Sequence, residues 1–220
     1  MTRRVPRTVS LAVVVLGLLV ADGVLLYKRV QYRKETERLR ADMSEIERER
    51  ADAIVAGEAD RTGLIVQLVR RQAVGDDALH LAVNTDSSFV ALDRGAVRLR
   101  VMPAQIGPEQ RVGLPPDTAW VAIPRGMRVV ERLLAGAPSY ELPAWVWTDR
   151  GLPVPEQRSG EGWLGANALV AAGGTLLYAL PATGPLADSS YVMPGAVRLS
   201  SADLAAIREN LTPGMRVYFY

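Results

Sequence analysis

The sequence predicts a mainly β domain that is preceded by one membrane-spanning helix and a helical stalk. Three observations predict this order: an apolar run at Thr8–Tyr27, a charged stretch with few turn residues at 28–74, and short β-type runs with frequent Gly and Pro from Leu79 onward. A length of 220 residues allows one globular domain plus extensions. The net charge of +2 predicts no strong affinity for polyanions.

The apolar run is interpreted as a membrane anchor. Residues 1–7 form a basic cytoplasmic tail with three arginines, and Thr8–Tyr27 contains a single charged residue, Asp22. Twenty helical residues span about 30 Å, which is the thickness of the hydrocarbon core of a bilayer. A cleaved signal peptide is the alternative, but the run is long and Leu19–Ala21 is a poor cleavage site. Asp22 lies near the far end of the run, either solvated at the interface or paired with a partner helix.

The stretch at 28–74 is predicted to be a long helix. Its d-type heptad positions are Tyr32, Leu39, Ile46 and Ala53, and its a-type positions are Thr36, Met43, Arg50 and Gly57. Only the middle of this seam is apolar, so a solvated single helix and a parallel coiled-coil dimer both remain open. Gly57 and Gly63 are expected to break or bend the helix. Leu64–Val69 is expected to pack on the globular domain or on a partner.

The globular domain is predicted at 78–220, after a turn cluster at Val74–Asp77. The β-type runs are Leu79–Val83, Phe89–Leu92, Val97–Met102, Ala119–Ile123, Arg128–Leu134, Ala168–Ala171, Thr175–Leu180 and Val217–Tyr220. Within the third run, alternation predicts an apolar face (Val97, Leu99 and Val101) opposite two arginines. Ser201–Leu211 is predicted to be a helix with Ser201 as its N-cap, ended by Thr212–Gly214.

The segment from Gly173 to Leu199 reads GGTLLYALPATGPLADSSYVMPGAVRL. It resembles the signature of the YkuD-type L,D-transpeptidases, in which a His precedes the sequence Ser/Thr-His-Gly-Cys, followed by an apolar residue and often Arg. Tyr178 stands where the first His belongs, and fourteen residues separate it from Met193. Met193, Pro194, Gly195 and Ala196 stand in place of Ser-His-Gly-Cys, and Arg198 stands at the Arg. Further similarity to the family occurs, in the family's order, at 79–107, Ile123–Met127, 141–156, Trp163–Leu169 and Ser200–Tyr220.

This resemblance implies a β-sandwich or flattened barrel over 78–220 whose catalytic groups have been replaced. In the family the Cys is the nucleophile toward a peptidoglycan stem peptide, and a His sets its protonation. Ala196 offers a methyl group and Pro194 neither a base nor a backbone donor. The chain contains no Cys at all. The residues Tyr178, Met193, Pro194, Gly195 and Ala196 are therefore interpreted as vestigial active-site positions of a pseudoenzyme.

The remaining polar candidates have structural alternatives. Arg198 is the best ligand-binding candidate, because in the family the equivalent Arg lies beside the nucleophile and here it could bind a carboxylate; a structural hydrogen-bonding role is an equal alternative. His80 is interpreted as a surface or edge-strand residue rather than a catalytic base. Four serines are interpreted as loop and capping residues: Ser189, Ser190, Ser200 and Ser201. Three tryptophans are interpreted either as a sugar- or peptide-stacking groove or as buried anchors: Trp145, Trp147 and Trp163. No metal site, cofactor or nucleic-acid surface is expected, because the chain has one His, no Cys, no clustered ligand pattern and no basic stripe with interleaved aromatics.

Two functions follow as hypotheses. The first is a membrane-anchored, catalytically inactive L,D-transpeptidase-like protein that binds peptidoglycan peptides or regulates envelope proteins. The second is a structural accessory subunit of a membrane protein complex that docks or dimerises through the anchor and stalk. Basic residues also follow the anchor, so charge leaves its orientation open. The resemblance instead implies the bacterial cytoplasmic (inner) membrane with a periplasmic C-terminal domain.

Overall fold

The computed structural model describes residues 28, 29, 31, 32, 34 and 45–220. The chain divides into two compact units, Met1–Asp60 and Arg61–Tyr220. The described residues of the first unit are helical, and the strands of the described ranges all belong to the second. Within these ranges, no helix combines the length and apolar character needed to cross a bilayer. The predicted tail at 1–7 and the predicted anchor at Thr8–Tyr27 lie outside the described residues.

Helix α1 runs from Glu45 to Val74. It continues through Gly57 and Gly63, so the expected break at these two glycines is wrong. Each glycine costs a helix only about 1 kcal/mol relative to alanine, and helix propagation in a long segment is cooperative. Where α1 belongs to the second unit, Val69 and Ala73 are buried.

The second unit is built mainly from β-strands, which confirms the predicted class. Eight of the described strands close into a barrel in the order β1, β12, β6, β9, β10, β11, β3, β2, while β4 pairs with β5 and β7 with β8 in two small sheets. The strands are β1 Leu79–Asn84, β2 Phe89–Arg94, β3 Val97–Ile106, β4 Gln110–Leu114, β5 Asp117–Val121, β6 Gly126–Leu134, β7 Ser139–Glu141, β8 Ser159–Glu161, β9 Ala168–Ala171, β10 Thr175–Ala179, β11 Val197–Leu199 and β12 Arg216–Phe219. The helices of this unit after α1 are α2 Trp145–Asp149 and α3 Ser201–Ile207, and a 3₁₀ turn at Arg208–Asn210 follows α3.

Two parallel pairings decide which distant segments meet. Strand β1 pairs in parallel with β12, and β10 pairs in parallel with β11, so that Tyr178 lies directly beside Arg198. Parallel neighbours need a long crossover connection. The segment between β10 and β11 supplies it, and this segment contains Met193–Ala196.

Strand alternation separates the barrel interior from the surface that α1 covers. Leu81 and Val83 of β1 belong to the main core cluster, whereas Ala82 between them packs with Val69 and Ala73 of α1. The main cluster also contains Leu204 and Ile207 of α3 together with residues of β12. Fully burying a Val, Leu or Ile side chain contributes about 1.5–3 kcal/mol. Val69 therefore helps to hold the C-terminal part of α1 on the barrel, and Leu204 and Ile207 hold α3.

A second core lies on the other face of β9 and β10. Leu169 and Leu177 point into the main cluster, while Val170, Leu176 and Tyr178 belong to the second cluster. Its other members include residues of α2 and of the β10–β11 segment: Leu142, Val146, Trp147, Leu164, Ala168, Leu186, Met193 and Ala196. This second core is the support on which the candidate site is built.

Three local features of the structure were not predicted from the sequence. The expected apolar face of β3 is exposed, since Val97, Leu99 and Val101 retain 62%, 54% and 51% of their accessible surface. The N-cap of α3 is Ser200 rather than Ser201: the Ser200 hydroxyl accepts a hydrogen bond from the N–H of Asp203 at 3.0 Å. Strands β4, β7, β8 and β11 and helix α2 were not predicted from the sequence.

Candidate functional site

A cavity of about 420 Å³ opens at the end of the β9–β10 hairpin. It is lined by the Met193–Ala196 segment, the hairpin residues Gly173–Leu176, the stretch after β5, and single side chains from β6, β7 and the start of α2. The lining residues are Val121, Ala122, Pro124, Arg128, Tyr140, Pro143, Trp145, Gly173, Gly174, Thr175, Leu176, Met193, Pro194, Gly195 and Ala196. Four of the five positions interpreted as vestigial therefore lie together in one lining.

The fifth position, Tyr178, lies beneath the cavity and does not line it. Tyr178 is fully buried, and its hydroxyl oxygen accepts a hydrogen bond from the N–H of Met193 at 3.2 Å. Burial raises the pKa of the Tyr178 phenol, and the hydrogen bond from Met193 only partly opposes this. The phenol stays neutral at physiological pH and holds the segment in place instead of acting as a base.

Close backbone contacts shape the Met193–Ala196 segment. The N–H of Ala196 donates to the carbonyl of Met193 at 3.1 Å, which closes a turn, and Gly195 adopts a positive φ of 68° within it. The N–H of Gly107 donates to the carbonyl of Ala196 at 2.8 Å. A Cβ atom at Gly107 would overlap the carbonyl oxygen of Met193. The site thus requires a glycine at the end of β3 as well as one inside the turn.

Arg198 holds the β10–β11 segment together. Its side chain is buried, and both Nε and Nη2 donate to Oε1 of Gln105, the first at 2.7 Å. Nη1 donates to the carbonyls of Tyr191 and Asp188 at 2.7 and 3.3 Å, and Nη2 also donates to the carbonyl of Ser189 at 2.5 Å. All five guanidinium N–H groups therefore have acceptors within the chain. No donor is left for a carboxylate ligand, so the geometry favours the structural role of Arg198.

Polar contacts order the neighbouring loop. The Asp188 carboxylate accepts from the hydroxyl and the N–H of Ser190 at 2.7 and 2.8 Å, and Nη2 of Arg150 lies 3.1 Å from it. These hydrogen bonds from Ser190 lower the pKa of Asp188, and the charge of Arg150 adds to the effect. The hydroxyl of Tyr191 donates to Oδ2 of Asp149 at 2.8 Å. Burial, and then this hydrogen bond, raise the pKa of Tyr191.

The lining carries no catalytic pair. Among the described residues that form it there is no thiol, imidazole, carboxylate or amine, and the hydroxyls belong to Thr175 and Tyr140. A hydroxyl nucleophile needs a base within hydrogen-bond reach, and this lining offers none. No cluster of three or more metal-ligating His, Cys, Asp or Glu side chains occurs in the part of the chain that the structure describes.

His80 is neither on the surface nor on an edge strand, so that prediction is wrong. It is fully buried in β1, which lies between β12 and β2 in the closed barrel. Its Nδ1 lies 2.9 Å from the carbonyl of Ala78, and its ring packs edge-on against Tyr218. The residue does not line the cavity and has no place in its chemistry.

The tryptophans divide between the core and the cavity. Trp147 and Trp163 pack edge-to-face with their ring centroids 5.7 Å apart, and both belong to the second core or pack against it. Trp145 lines the cavity. Trp147 is therefore a buried anchor, and Trp163 and Trp145 are half-buried against the same core. Trp145 in addition offers a stacking surface to a ligand.

One residue of the site was missed from the sequence. Arg128 lies on β6, two residues before Val130 of the main core, and its side chain reaches the cavity lining near Gly173. Its Nε is buried without a hydrogen-bond partner. An arginine within a β-type run is ordinarily predicted to face solvent. No sequence signal distinguishes Arg128 from the exposed arginines of neighbouring strands.

The second unit is thus a closed β-barrel with a cavity whose described lining has no catalytic pair. No family model matches the sequence, and no curated protein matches it either. The solved structures to which the chain is similar include an L,D-transpeptidase from Xylanimonas cellulosilytica (16% identity, TM-score 0.46), L,D-transpeptidase 1 of Mycobacterium tuberculosis (17%, 0.43) and an L,D-transpeptidase from Mycobacterium smegmatis (17%, 0.43). The matches cover 66%, 65% and 64% of this chain but only 61%, 62% and 58% of the other chains, respectively.

Proposed function

We propose that this chain is a catalytically inactive, L,D-transpeptidase-like protein that binds peptidoglycan peptides and so regulates or scaffolds envelope proteins. The observation that carries the proposal is the cavity at Met193–Ala196. It offers space for a ligand at the segment that resembles the transpeptidase signature, while its described lining lacks a thiol and any base. The absence of Cys from the whole sequence removes the nucleophile that such chemistry needs.

The cavity suits a short peptide. Its 420 Å³ falls within the range of about 300–1,000 Å³ that is typical of small-molecule sites. Trp145 and Tyr140 supply aromatic surface, and Gly173 and Gly174 allow a ligand to approach the backbone closely. Binding without turnover is the outcome that this combination supports.

Binding is tested by sedimenting the full chain, in detergent, with purified peptidoglycan sacculi. We expect enrichment in the pellet relative to an unrelated membrane protein. Ala122 is exposed and lines the cavity, so Ala122→Trp should fill it and reduce pelleting. Ala182 is exposed and outside the lining, so Ala182→Trp is the matched control. Equal pelleting of both variants, or no enrichment of the wild-type chain, would contradict the proposal.

The proposed location is the bacterial cytoplasmic membrane, with a single pass at Thr8–Tyr27 and the barrel in the periplasm. Because the chain has no Cys, single cysteines at Thr2 and Ser190 report on each side without background. In intact spheroplasts, a membrane-impermeant maleimide should label Ser190→Cys, whereas Thr2→Cys should react only after permeabilisation. The reverse pattern would refute the orientation.

The accessory-subunit hypothesis has one supporting observation. On α1, Leu64, Ile65 and Leu68 remain 67%, 38% and 57% exposed, although Val69 beside them is buried. Apolar residues exposed along one helix indicate a docking surface. The double variant Leu64→Glu and Leu68→Glu should then abolish co-purification of partner proteins from detergent-solubilised membranes while the barrel stays folded. Unchanged co-purification would exclude docking through this part of α1.

A further inference from the structure

The cavity contains a cation without a counterion. Arg128 lines the cavity, and its Nε is buried without a hydrogen-bond partner. No acidic residue occurs among the described residues of the lining. Buried N–H groups without a partner are rare in native proteins, so Arg128 is an arginine that the described chain leaves without a compensating acceptor.

Seven other arginines of the same unit have an oxygen or aromatic partner within the chain. Five of them lie within 4 Å of a carboxylate: Arg98, Arg100, Arg150, Arg158 and Arg216. Arg198 binds carbonyl and amide oxygens, and Arg132, on the same strand as Arg128, stacks over the ring of Tyr140. Within the described residues, Arg128 has none of these partners although its Nε is removed from water.

The position of Arg128 limits what can satisfy it. By strand alternation, its Cβ lies on the same face of β6 as that of Val130 in the main core. A Cβ atom at Gly173 would lie 3.2 Å from Nη1 of Arg128, so the guanidinium reaches the β9–β10 turn at the cavity wall. The guanidinium end of this half-buried side chain, at the cavity wall, is therefore the part of Arg128 that a ligand in the cavity contacts. A planar guanidinium matches a carboxylate through two parallel hydrogen bonds, which gives both affinity and orientation.

We propose that Arg128 is the specificity-determining residue of the cavity and binds a carboxylate of a short peptide. This inference rests on the proposed function and names the chemical group that the site recognises. The peptide's carboxylate accepts hydrogen bonds from Arg128, and the remainder of the peptide lies against Trp145 and the Met193–Ala196 turn. Recognition of a carboxylate, rather than of apolar surface alone, makes the site selective for free-acid peptides over amidated ones.

The test compares two probes by isothermal titration calorimetry on the full chain in detergent. The first is a peptidoglycan stem tetrapeptide with free carboxylates, and the second is the same peptide with every carboxylate amidated. Arg128→Gln should weaken binding of the free acid by about 10- to 100-fold and leave binding of the amide unchanged. Arg128→Lys keeps the charge but loses the paired donors, so its affinity for the acid should be intermediate. Arg125→Gln removes the same charge three residues away, outside the lining, and should resemble wild type.

Each remaining outcome is decisive. If wild type binds both peptides equally, or if Arg128→Gln and Arg125→Gln bind the acid equally, the carboxylate inference is wrong while the proposed function stands. If wild type binds neither peptide, both fail. Acetate and inorganic phosphate are titrated in parallel, and Arg128-dependent binding of these anions without peptide binding would indicate an adventitious ion only and overturn the inference. The thermal unfolding midpoint of each variant verifies that the barrel is folded.

Discussion

Replacing Arg198 with Met should strongly destabilise the barrel. Its guanidinium bonds to Gln105 and to three loop carbonyls, those of Asp188, Ser189 and Tyr191. Met preserves most of the aliphatic packing but offers no donor. At about 1 kcal/mol for each of the three carbonyl bonds lost, the free energy of unfolding should fall by about 3 kcal/mol. The exposed side chain of Gln105 regains water, so its bonds are left out of this sum.

Urea unfolding followed by tryptophan fluorescence measures the effect, because all four tryptophans belong to the barrel unit. Arg100→Met is the matched control. Arg100 is 45% exposed and pairs with Asp203 at 3.1 Å, and an exposed pair of this kind contributes about 0–1 kcal/mol. If Arg198→Met costs no more than Arg100→Met, Arg198 does not hold the segment.

Three further substitutions test the neighbourhood of the site. Gly184→Ala should destabilise the chain by about 3 kcal/mol, because the new Cβ would overlap Cδ1 of Trp163 and φ is +91°. Tyr191→Phe should reduce the loss of stability between pH 9 and pH 11. The raised pKa of Tyr191, caused by burial and by Asp149, gives stability that is complete below the ordinary value of about 10 and is lost above it. Ser200→Ala removes the N-cap of α3 and should lower the free energy of unfolding by about 1 kcal/mol.

Controls separate the physical causes. Gly214→Ala creates a similar positive-φ alanine, at +88°, but in open space, so it should cost less than Gly184→Ala; an equal cost would remove the clash from the explanation. For Tyr191, urea unfolding midpoints at pH 8 and pH 11 give the loss of stability with pH for wild type and for Tyr191→Phe. An equal loss in both proteins would contradict the link between the Tyr191 pKa and stability. For Ser200, the neighbouring Ser201→Ala lies inside α3 and should be almost neutral, whereas a larger loss at Ser201 would restore it as the N-cap.

The local pattern of the sequence was sufficient for much of the barrel. The run predicted at Ala168–Ala171 coincides with β9, and those starting at Leu79 and Phe89 match β1 and β2 to within two residues at their ends. The predicted helix is α3 followed by its 3₁₀ turn, and turn residues end it as expected. These elements form from preferences within a few consecutive residues, so they can be read without a partner. Alternation identified an apolar face on β3 but could not show that Val97 and Leu99 on this face are exposed to solvent.

The residue types at the site were also evident from the sequence alone. The sequence contains no Cys, and Met193–Ala196 stand in place of the Ser-His-Gly-Cys signature. Tertiary structure decided what each side chain does. Arg198 and Gln105 are 93 residues apart and bond only because β11 pairs with β3. His80 is buried only because the sheet closes between β12 and β2. Arg128 lines a cavity that is built by segments distant from one another in the sequence. Local preference fixes strands, whereas burial and hydrogen-bond partners depend on residues that are distant in the sequence, and only the closed barrel brings those together.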